Sequence, residues 1–201
     1  MGTKYIEIFE NQIKKKEILG NYCIDFGCGV GGILKAFSEK FQLKPIGIEA
    51  NKEKIKIAME NQITIFPDIF SNSDWINENA AEVSLIIATD FLEHLPDPKK
   101  FIKKIKNTFP QAYVFFGVPG FGHMYIRESR PLVGMVKNLP HLHSFSENSF
   151  KNIFINDYKS ELKSLKDLKY YILVGIPFKN KKNINKTYLK NEKSIFRKYY
   201  K

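Results

Sequence analysis

The stretch Y-C-I-D-F-G-C-G-V-G-G, residues 22–32, joins a short apolar run to four closely spaced glycines. The apolar run predicts a buried strand, and after the glycines Leu34, Phe37 and Phe41 recur with helical spacing. A glycine-rich turn between a strand and a helix lets a ligand approach the amino end of that helix. The stretch therefore predicts the ligand-binding unit of an α/β fold for a nucleotide-like ligand, whose identity it leaves open.

The rest of the chain repeats this alternation of apolar runs and helical periodicity, which predicts parallel strands joined by crossover helices. A helix over residues 5–19 is expected before the first strand, at 22–26. Further strands are expected at residues 45–49, 63–66, 83–88, 112–118 and 169–177, with a hairpin partner for the last at 157–162. Further helices are expected after Asn51, after Asp97 and over residues 146–154.

Length and composition favour one globular domain, because the 201 residues are 43% hydrophobic and 26% charged. Disordered, collagen-like and disulfide-scaffold proteins are excluded on the same ground. The apolar runs are far shorter than the ~20 residues that span a membrane, and the first residues lack the apolar segment of a signal peptide. Cys23 and Cys28 suit a reducing compartment, so we expect a cytoplasmic protein without a transmembrane segment.

The net charge of +11 is concentrated at the carboxyl end. Residues 178–201 contain nine Lys or Arg and one Glu, whereas the preceding residues contain 23 basic and 20 acidic side chains. This division predicts a domain over residues 1–177 and a basic tail over 178–201. Nearly all the cations are lysines, which fits a solvated appendage better than a nucleic-acid-binding segment, so nucleic acid is a disfavoured partner.

Three carboxylates stand at the ends of the first three predicted strands. Asp25 would repel the pyrophosphate of a dinucleotide, but it suits a ligand that carries an ammonium or a sulfonium group. Glu49 follows the second strand, where a carboxylate can accept hydrogen bonds from ribose hydroxyls. Asp68 could accept from an exocyclic amine such as that of adenine, or it could be an ordinary turn residue. The three together indicate an adenosine-type ligand with a cationic group.

Four segments resemble successive motifs of the class I S-adenosylmethionine-dependent methyltransferases, over residues 20–177. They are I-D-F-G-C-G-V-G-G (24–32), I-G-I-E (46–49), F-P-D-I-F (66–70) and L-I-I-A-T-D-F-L-E-H-L-P-D-P (85–98). The last segment resembles the branch that includes quinone-biosynthesis and sugar or small-metabolite O-methyltransferases. The resemblance implies a Rossmann-like, mostly parallel seven-stranded sheet, ordered 3-2-1-4-5-7-6, with helices on both faces and the last strand antiparallel.

The resemblance also implies S-adenosylmethionine as cofactor, S-adenosylhomocysteine as product, and a set of cofactor-binding residues. Within that set the glycine turn borders the methionine moiety, Glu49 the ribose and Asp68 the adenine, while His94 could instead form only local contacts. The implied residues are Asp25, Gly27, Cys28, Gly29, Glu49, Ala50, Asp68, Ile69, Asp90, Phe91 and His94.

Residues 119–145 form a long predicted loop with few signs of regular structure, as functional loops often do. His123, His141 and His143 are its candidate catalytic bases, because histidine titrates in the useful range. Arg127, Arg130 and Tyr125 are candidate acceptor-binding residues, and the arginines suit an anionic acceptor. His141 and His143 could share a metal, but no carboxylate or cysteine cluster lies nearby in the sequence, so we expect no metal site.

We therefore expect an enzyme that methylates an oxygen of a small metabolite or a nucleotide-linked sugar. Alternatives are a non-catalytic module of the same fold and a nucleic-acid methyltransferase, although the fourth strand ends in A-T-D-F where an N-P-P-Y-type motif would be needed. A nicotinamide-dependent dehydrogenase is disfavoured by Asp25. Few residues precede the first strand, so the acceptor could be covered by a second subunit of a homodimer.

Overall fold

The computed structural model describes residues 2–13, 18–120, 141–165 and 170–178, and within them seven strands form one sheet. The strands are β1 (Tyr22–Phe26), β2 (Lys44–Ile48), β3 (Thr64–Phe66), β4 (Val83–Thr89), β5 (Tyr113–Pro119), β6 (Tyr158–Leu165) and β7 (Tyr170–Pro177). Their spatial order is β3-β2-β1-β4-β5-β7-β6, which confirms the order that the family resemblance implies. Strand β7 runs antiparallel to both of its neighbours, and the other pairs are parallel.

Six α-helices accompany the sheet within the described residues. They are α1 (Gly2–Glu10), α2 (Gly32–Phe41), α3 (Lys52–Glu60), α4 (Ser73–Asn79), α5 (Pro98–Thr108) and α6 (Glu147–Asn152). Short 3-10 turns follow β3 and β4, at Ile69–Ser71 and Leu92–His94. Polar side chains set several helix starts, since Asn51 accepts from two amides of α3 and Asp97 accepts from Lys100 N at the start of α5.

Two apolar clusters cover the two faces of the sheet. One contains the buried side chains of α4, α5 and α6, and the other contains those of α1, α2 and α3. Strand β4 is buried along its whole length, which explains its almost uninterrupted apolar sequence. The sheet is therefore enclosed by helices, and its carboxyl edge is where the loops after β1, β2, β3 and β4 come together.

Two helices of the structure differ from the sequence prediction. The predicted helix at 5–19 runs only over Gly2–Glu10, and a tight turn follows because the amides of Gln12 and Ile13 both donate to the carbonyl of Phe9. That turn buries Ile13 completely. Helix α4 is not predicted, because its seven residues are mostly polar and its buried face is the single side chain of Ile76. These differences leave the order of the strands unchanged.

No helix within the described ranges is long and apolar enough to cross a lipid bilayer. Most of the predicted loop, residues 121–140, and the basic tail from residue 179 onward lie outside the described residues.

Candidate active site

The glycine turn after β1 bends back over the end of β2. Gly27, Gly29 and Gly31 have positive φ angles of 75°, 57° and 85°, and the amides of Gly27 and Cys28 both donate to the carbonyl of Ile48. A Cβ at Gly27 would lie 2.9 Å from the ring of Phe91, whereas a Cβ at Gly29 would meet nothing within 4 Å. Gly29 therefore leaves its backbone beside open space, which a ligand can enter.

Glu49 joins this turn to the end of β2. Its Oε2 accepts from Gly29 N at 3.0 Å, and its Oε1 accepts from Ala50 N and Asn51 N, each at 2.8 Å. Since a carboxylate oxygen can accept more than one hydrogen bond, the half-buried side chain is held in place and keeps accepting capacity. It can serve the hydroxyls of a ribose lying across the turn.

Asp25 lies at the second to last position of β1, buried beneath the glycine turn. Its Oδ1 is fully enclosed and accepts no hydrogen bond from any residue in the described parts of the chain. Burial, and then the negative charge of Glu49, raise the pKa of Asp25 from 3.8 to about 8. A cationic ligand beside Asp25 would stabilise the ionised carboxylate and lower its pKa again.

Asp68 takes the turn role considered for it, and the role of accepting from an amine stays a prediction. Its Oδ1 accepts from Phe70 N at 2.9 Å and so caps the 3-10 turn that follows β3. Its Oδ2 is buried and accepts nothing from the described residues. One oxygen therefore stabilises the turn, while the other remains for a donor such as an amine. The neighbouring Ile69 is fully buried in the core and offers no exposed surface to a ligand in this structure.

Asp90 and Phe91 follow β4 at the same edge of the sheet. Asp90 is exposed and adopts a left-handed φ of 52°, and its amide donates to the carbonyl of Gly117 at 3.0 Å. Phe91 is buried, and its ring lies against Gly27 and contacts Phe26 and Phe101. Phe91 therefore packs against the buried side of the glycine turn, and the neighbouring Asp90 is exposed to solvent.

A second group of polar side chains lies just beyond Phe91. The carbonyl of Glu93 accepts from the amides of Leu142 and His143, at 2.8 and 3.1 Å, which docks the segment 141–143 onto the turn after β4. Glu93 Oε1 then lies 4.0 Å from Nε2 of both His94 and His141. Sequence reasoning missed Glu93; the only signal was an acidic residue next to a histidine in D-F-L-E-H, residues 90–94.

His143 points elsewhere, with its ring centroid 6.0 Å from that of Phe145. Its Nε2 is buried and has no hydrogen-bond partner within the described ranges. The backbone of Phe145 forms an isolated bridge to Gly120, next to the end of β5. The structure thus brings His141 and His143 to the same sheet edge as the three carboxylates. His123, Tyr125, Arg127 and Arg130 lie outside the described residues.

The family model described as "Methyltransferase domain" matches residues 4–157 of the chain. The chain belongs to the class I S-adenosylmethionine-dependent methyltransferases. Among curated proteins, the ubiquinone biosynthesis O-methyltransferase of Vibrio campbellii is 31% identical over 108 residues, which are 51% of this chain and 46% of the relative. That of Pseudoalteromonas translucida is 29% identical over 98 residues, 46% of this chain and 41% of the relative. The match thus spans about half the length of these relatives.

Solved structures of other methyltransferases have the same fold as this chain. A SAM-dependent methyltransferase from Archaeoglobus fulgidus has a TM-score of 0.57 at 14% identity, covering 87% of this chain and 90% of that one. Phosphoethanolamine N-methyltransferase 2 from Haemonchus contortus, solved with S-adenosyl-L-methionine, has a TM-score of 0.62 at 13% identity, covering 87% and 52%.

The methyltransferase has hydrogen-bond acceptors that suit the donor groups of S-adenosylmethionine, the cofactor of this family. The cofactor carries an ammonium group, ribose hydroxyls and an adenine amine, all of which donate hydrogen bonds. The buried oxygens of Asp25 and Asp68 are acceptors that the described residues leave without donors, and Glu49 lies between them. The described residues therefore fit the cofactor, with Gly29 leaving room for its close approach.

Proposed function

We propose that this chain transfers the methyl group of S-adenosylmethionine to a hydroxyl oxygen of a small-molecule acceptor and releases S-adenosylhomocysteine. The observation that carries the proposal is the pair of buried carboxylate oxygens on Asp25 and Asp68, which lack donors among the described residues and which a ligand with correctly spaced donors would satisfy. The choice of oxygen is supported by the curated relatives, which are ubiquinone biosynthesis O-methyltransferases.

The residues at the sheet edge would divide the binding of the cofactor among them. Asp25 would face the ammonium group, Glu49 the ribose and Asp68 the adenine amine, while Gly27, Cys28 and Gly29 border the methionine part. When bound, the cofactor supplies an electrophilic methyl group on a sulfonium sulfur. In the reaction an O–CH₃ bond forms as the S–CH₃ bond breaks, the bonding electrons go to sulfur, and the hydroxyl proton leaves. Positioning and exclusion of water supply much of the acceleration in such a displacement.

The acceptor would bind beyond Asp90 and Phe91, where the segment 141–145 closes over the ends of β4 and β5. His141, His143 and His123 remain the candidates for receiving the hydroxyl proton, and Arg127, Arg130 and Tyr125 those for holding an anionic acceptor. A nucleotide-linked sugar or another small hydroxyl compound fits this assignment, whereas nucleic acid is disfavoured as the acceptor.

Three further parts of the proposal concern the whole protein. Residues 1–177 would form the catalytic domain, with 178–201 as a basic appendage. Cys23 and Cys28 are buried and unbridged, which favours a reducing compartment such as the cytoplasm. A second subunit could help to cover the acceptor.

The test is a methyl-transfer assay with full-length protein and cofactor labelled in the methyl group. Phenols, nucleotide-linked sugars and a short RNA are offered separately, and Asp25→Asn is compared with the exposed control Glu53→Gln. We expect label on a hydroxyl of a small molecule, lost with Asp25→Asn and kept with Glu53→Gln. Label on RNA alone, or on a nitrogen atom, would contradict the proposal.

A further inference from the structure

Glu93, His94 and His141 bring one carboxylate and two imidazoles to a single point. One possible ligand atom from each residue lies within 4.8 Å of the others, and Glu93 Oε1 is 4.0 Å from Nε2 of each histidine. The two imidazole rings meet edge to face, with centroids 4.7 Å apart. A metal is not expected from the sequence, because no carboxylate or cysteine cluster lies near His141 along the chain. The fold supplies that carboxylate from the turn after β4.

The carboxylate of Glu93 is a second, independent sign of a ligand. Its side chain is 0% exposed, and neither of its oxygens has a hydrogen-bond partner in the described parts of the chain. An ionised carboxylate taken out of water without partners is costly, so a buried one normally has a cation or donors beside it. A cation at this point would offset that cost.

The backbone holds these side chains in place from two segments of the chain. His94 N donates to the carbonyl of Phe91, which closes the turn that carries Glu93 and His94. The amides of Leu142 and His143 donate to the carbonyl of Glu93 and so fix the segment that carries His141. Because the two segments are joined at Glu93 itself, the three side chains converge without requiring an ion to assemble them.

We propose that Glu93, His94 and His141 bind a divalent transition-metal ion, such as Zn²⁺ or Mn²⁺, on the acceptor side of the site. Two imidazole nitrogens and one carboxylate oxygen form a donor set that such ions accept. Bonds of about 2.1 Å require the three donors to move closer together than they are in the ion-free structure, where the histidine side chains are 33% and 18% exposed. Three protein ligands leave at least one coordination position of such an ion for another ligand.

The ion would act on the acceptor, and this part rests on the proposed function. A hydroxyl bound at an open position loses its proton more readily, because the cation stabilises the oxygen anion that attacks the methyl group. The proton passes to a base such as His143 and from there to solvent, and the product ether no longer carries that charge. His141 is then a metal ligand and not a free base, so among the two described loop histidines His143 alone stays a candidate base.

The test is metal binding by the full-length protein without cofactor or acceptor, after removal of metals by chelator and dialysis. Zn²⁺ is titrated calorimetrically, and Co²⁺ is titrated by its visible absorption, which reports coordination by nitrogen and oxygen. Glu93→Gln, His94→Asn and His141→Asn are compared with the matched control His143→Asn, and circular dichroism checks that each variant is folded.

We expect one ion per chain, at least about tenfold weaker binding for each ligand variant, and binding within about threefold of wild type for His143→Asn. Absence of binding by the folded wild type, or equal binding by all folded variants, would overturn the metal site. Two folded ligand variants suffice for the comparison if the third fails to fold. The proposed function is tested separately by the methyl-transfer assay, and metal binding is measured without cofactor or acceptor, so a failure of one is distinguishable from a failure of the other.

Discussion

The main-chain amide of Gly29 donates to Glu49 Oε2 at 3.0 Å, which ties the glycine turn after β1 to the end of β2. This hydrogen bond shapes the turn before any ligand arrives. It also fixes the direction of a carboxylate that has two further amide donors, Ala50 N and Asn51 N. One side chain therefore both builds the turn and faces the expected position of the ribose.

Replacing Glu49 should weaken cofactor binding more than it weakens the fold. Glu49→Gln keeps the size of the side chain but loses the charge and one acceptor oxygen. Hydrogen bonds to charged groups contribute about 1.5–3 kcal/mol, so we expect at least about tenfold weaker binding of S-adenosylhomocysteine. Calorimetric titration measures this, with Glu53→Gln on the exposed side of α3 as control. If both variants bind S-adenosylhomocysteine with equal affinity, Glu49 does not take part in cofactor binding.

Two glycines of the same turn should respond differently to alanine, Gly31 mainly in stability and Gly29 mainly in cofactor binding. Gly31 has a φ of 85°, and a Cβ there would overlap Ile63 Cδ1, so Gly31→Ala should lower the free energy of unfolding by more than about 2 kcal/mol. At Gly29 a Cβ meets open space, so Gly29→Ala should cost only about 1–2 kcal/mol of left-handed strain.

The added methyl group at Gly29 would instead occupy the space expected for the cofactor. Denaturant unfolding and cofactor titration of both variants separate the two effects. If Gly29→Ala binds the cofactor with wild-type affinity, the cofactor does not lie against Gly29.

Asp25 should make the stability of the ligand-free protein depend on pH. Its pKa is about 8 in the folded protein and near 3.8 in the unfolded chain, so between these values the folded state holds a proton that the unfolded state has lost. Stability from this group is therefore present at low pH and lost as the pH rises toward 8, by up to about 1.4 kcal/mol per pH unit.

Asp25→Asn removes this dependence, so the variant should gain stability relative to wild type from pH 5 to pH 8 and no further above that range. Urea unfolding at several pH values measures the difference, with the exposed Asp74→Asn as control. A difference that does not change with pH would mean that Asp25 is ionised in the folded protein.

Most strands could be located because they are short apolar runs between clear turn signals, whereas their order in the sheet is implied by the resemblance to the methyltransferase family. Val83–Thr89 shows this well, since burial on both faces leaves almost no polar position. Asp25, Glu49 and Asp68 could be predicted as a group for a related reason: the carboxyl ends of neighbouring parallel strands meet at one edge.

Contacts between distant segments could not be predicted in the same way. Glu93 becomes a partner of His141 only through the hydrogen bonds that dock residues 142 and 143 on its carbonyl. Helix α4 leaves a weak periodic signal because it buries one apolar side chain, and the end of α1 is set by the burial of Ile13 after the turn.

The predicted boundary between domain and tail leads to a truncation experiment. Lys106 Nζ donates to the carbonyls of Pro110 and Phe178, at 2.9 and 3.4 Å, which fastens the chain just after β7. A chain ending at Asn180 keeps these contacts, so we expect a cooperative unfolding transition and cofactor affinity within about twofold of the full chain. If the truncated chain loses the cooperative transition or the cofactor affinity, residues of the tail are part of the domain.

The central claim is that Asp25 holds the cationic end of S-adenosylmethionine, and the most direct test is calorimetric titration at pH 7 in buffers of different ionisation enthalpy. Because the pKa of Asp25 is about 8 without ligand, the carboxyl group is mostly protonated at pH 7, and a bound ammonium group should displace that proton. We predict saturable binding that releases close to one proton in wild type and none in Asp25→Asn, which should also bind more weakly. Absence of binding by the folded wild-type protein, or the same proton release by both proteins, would contradict the account.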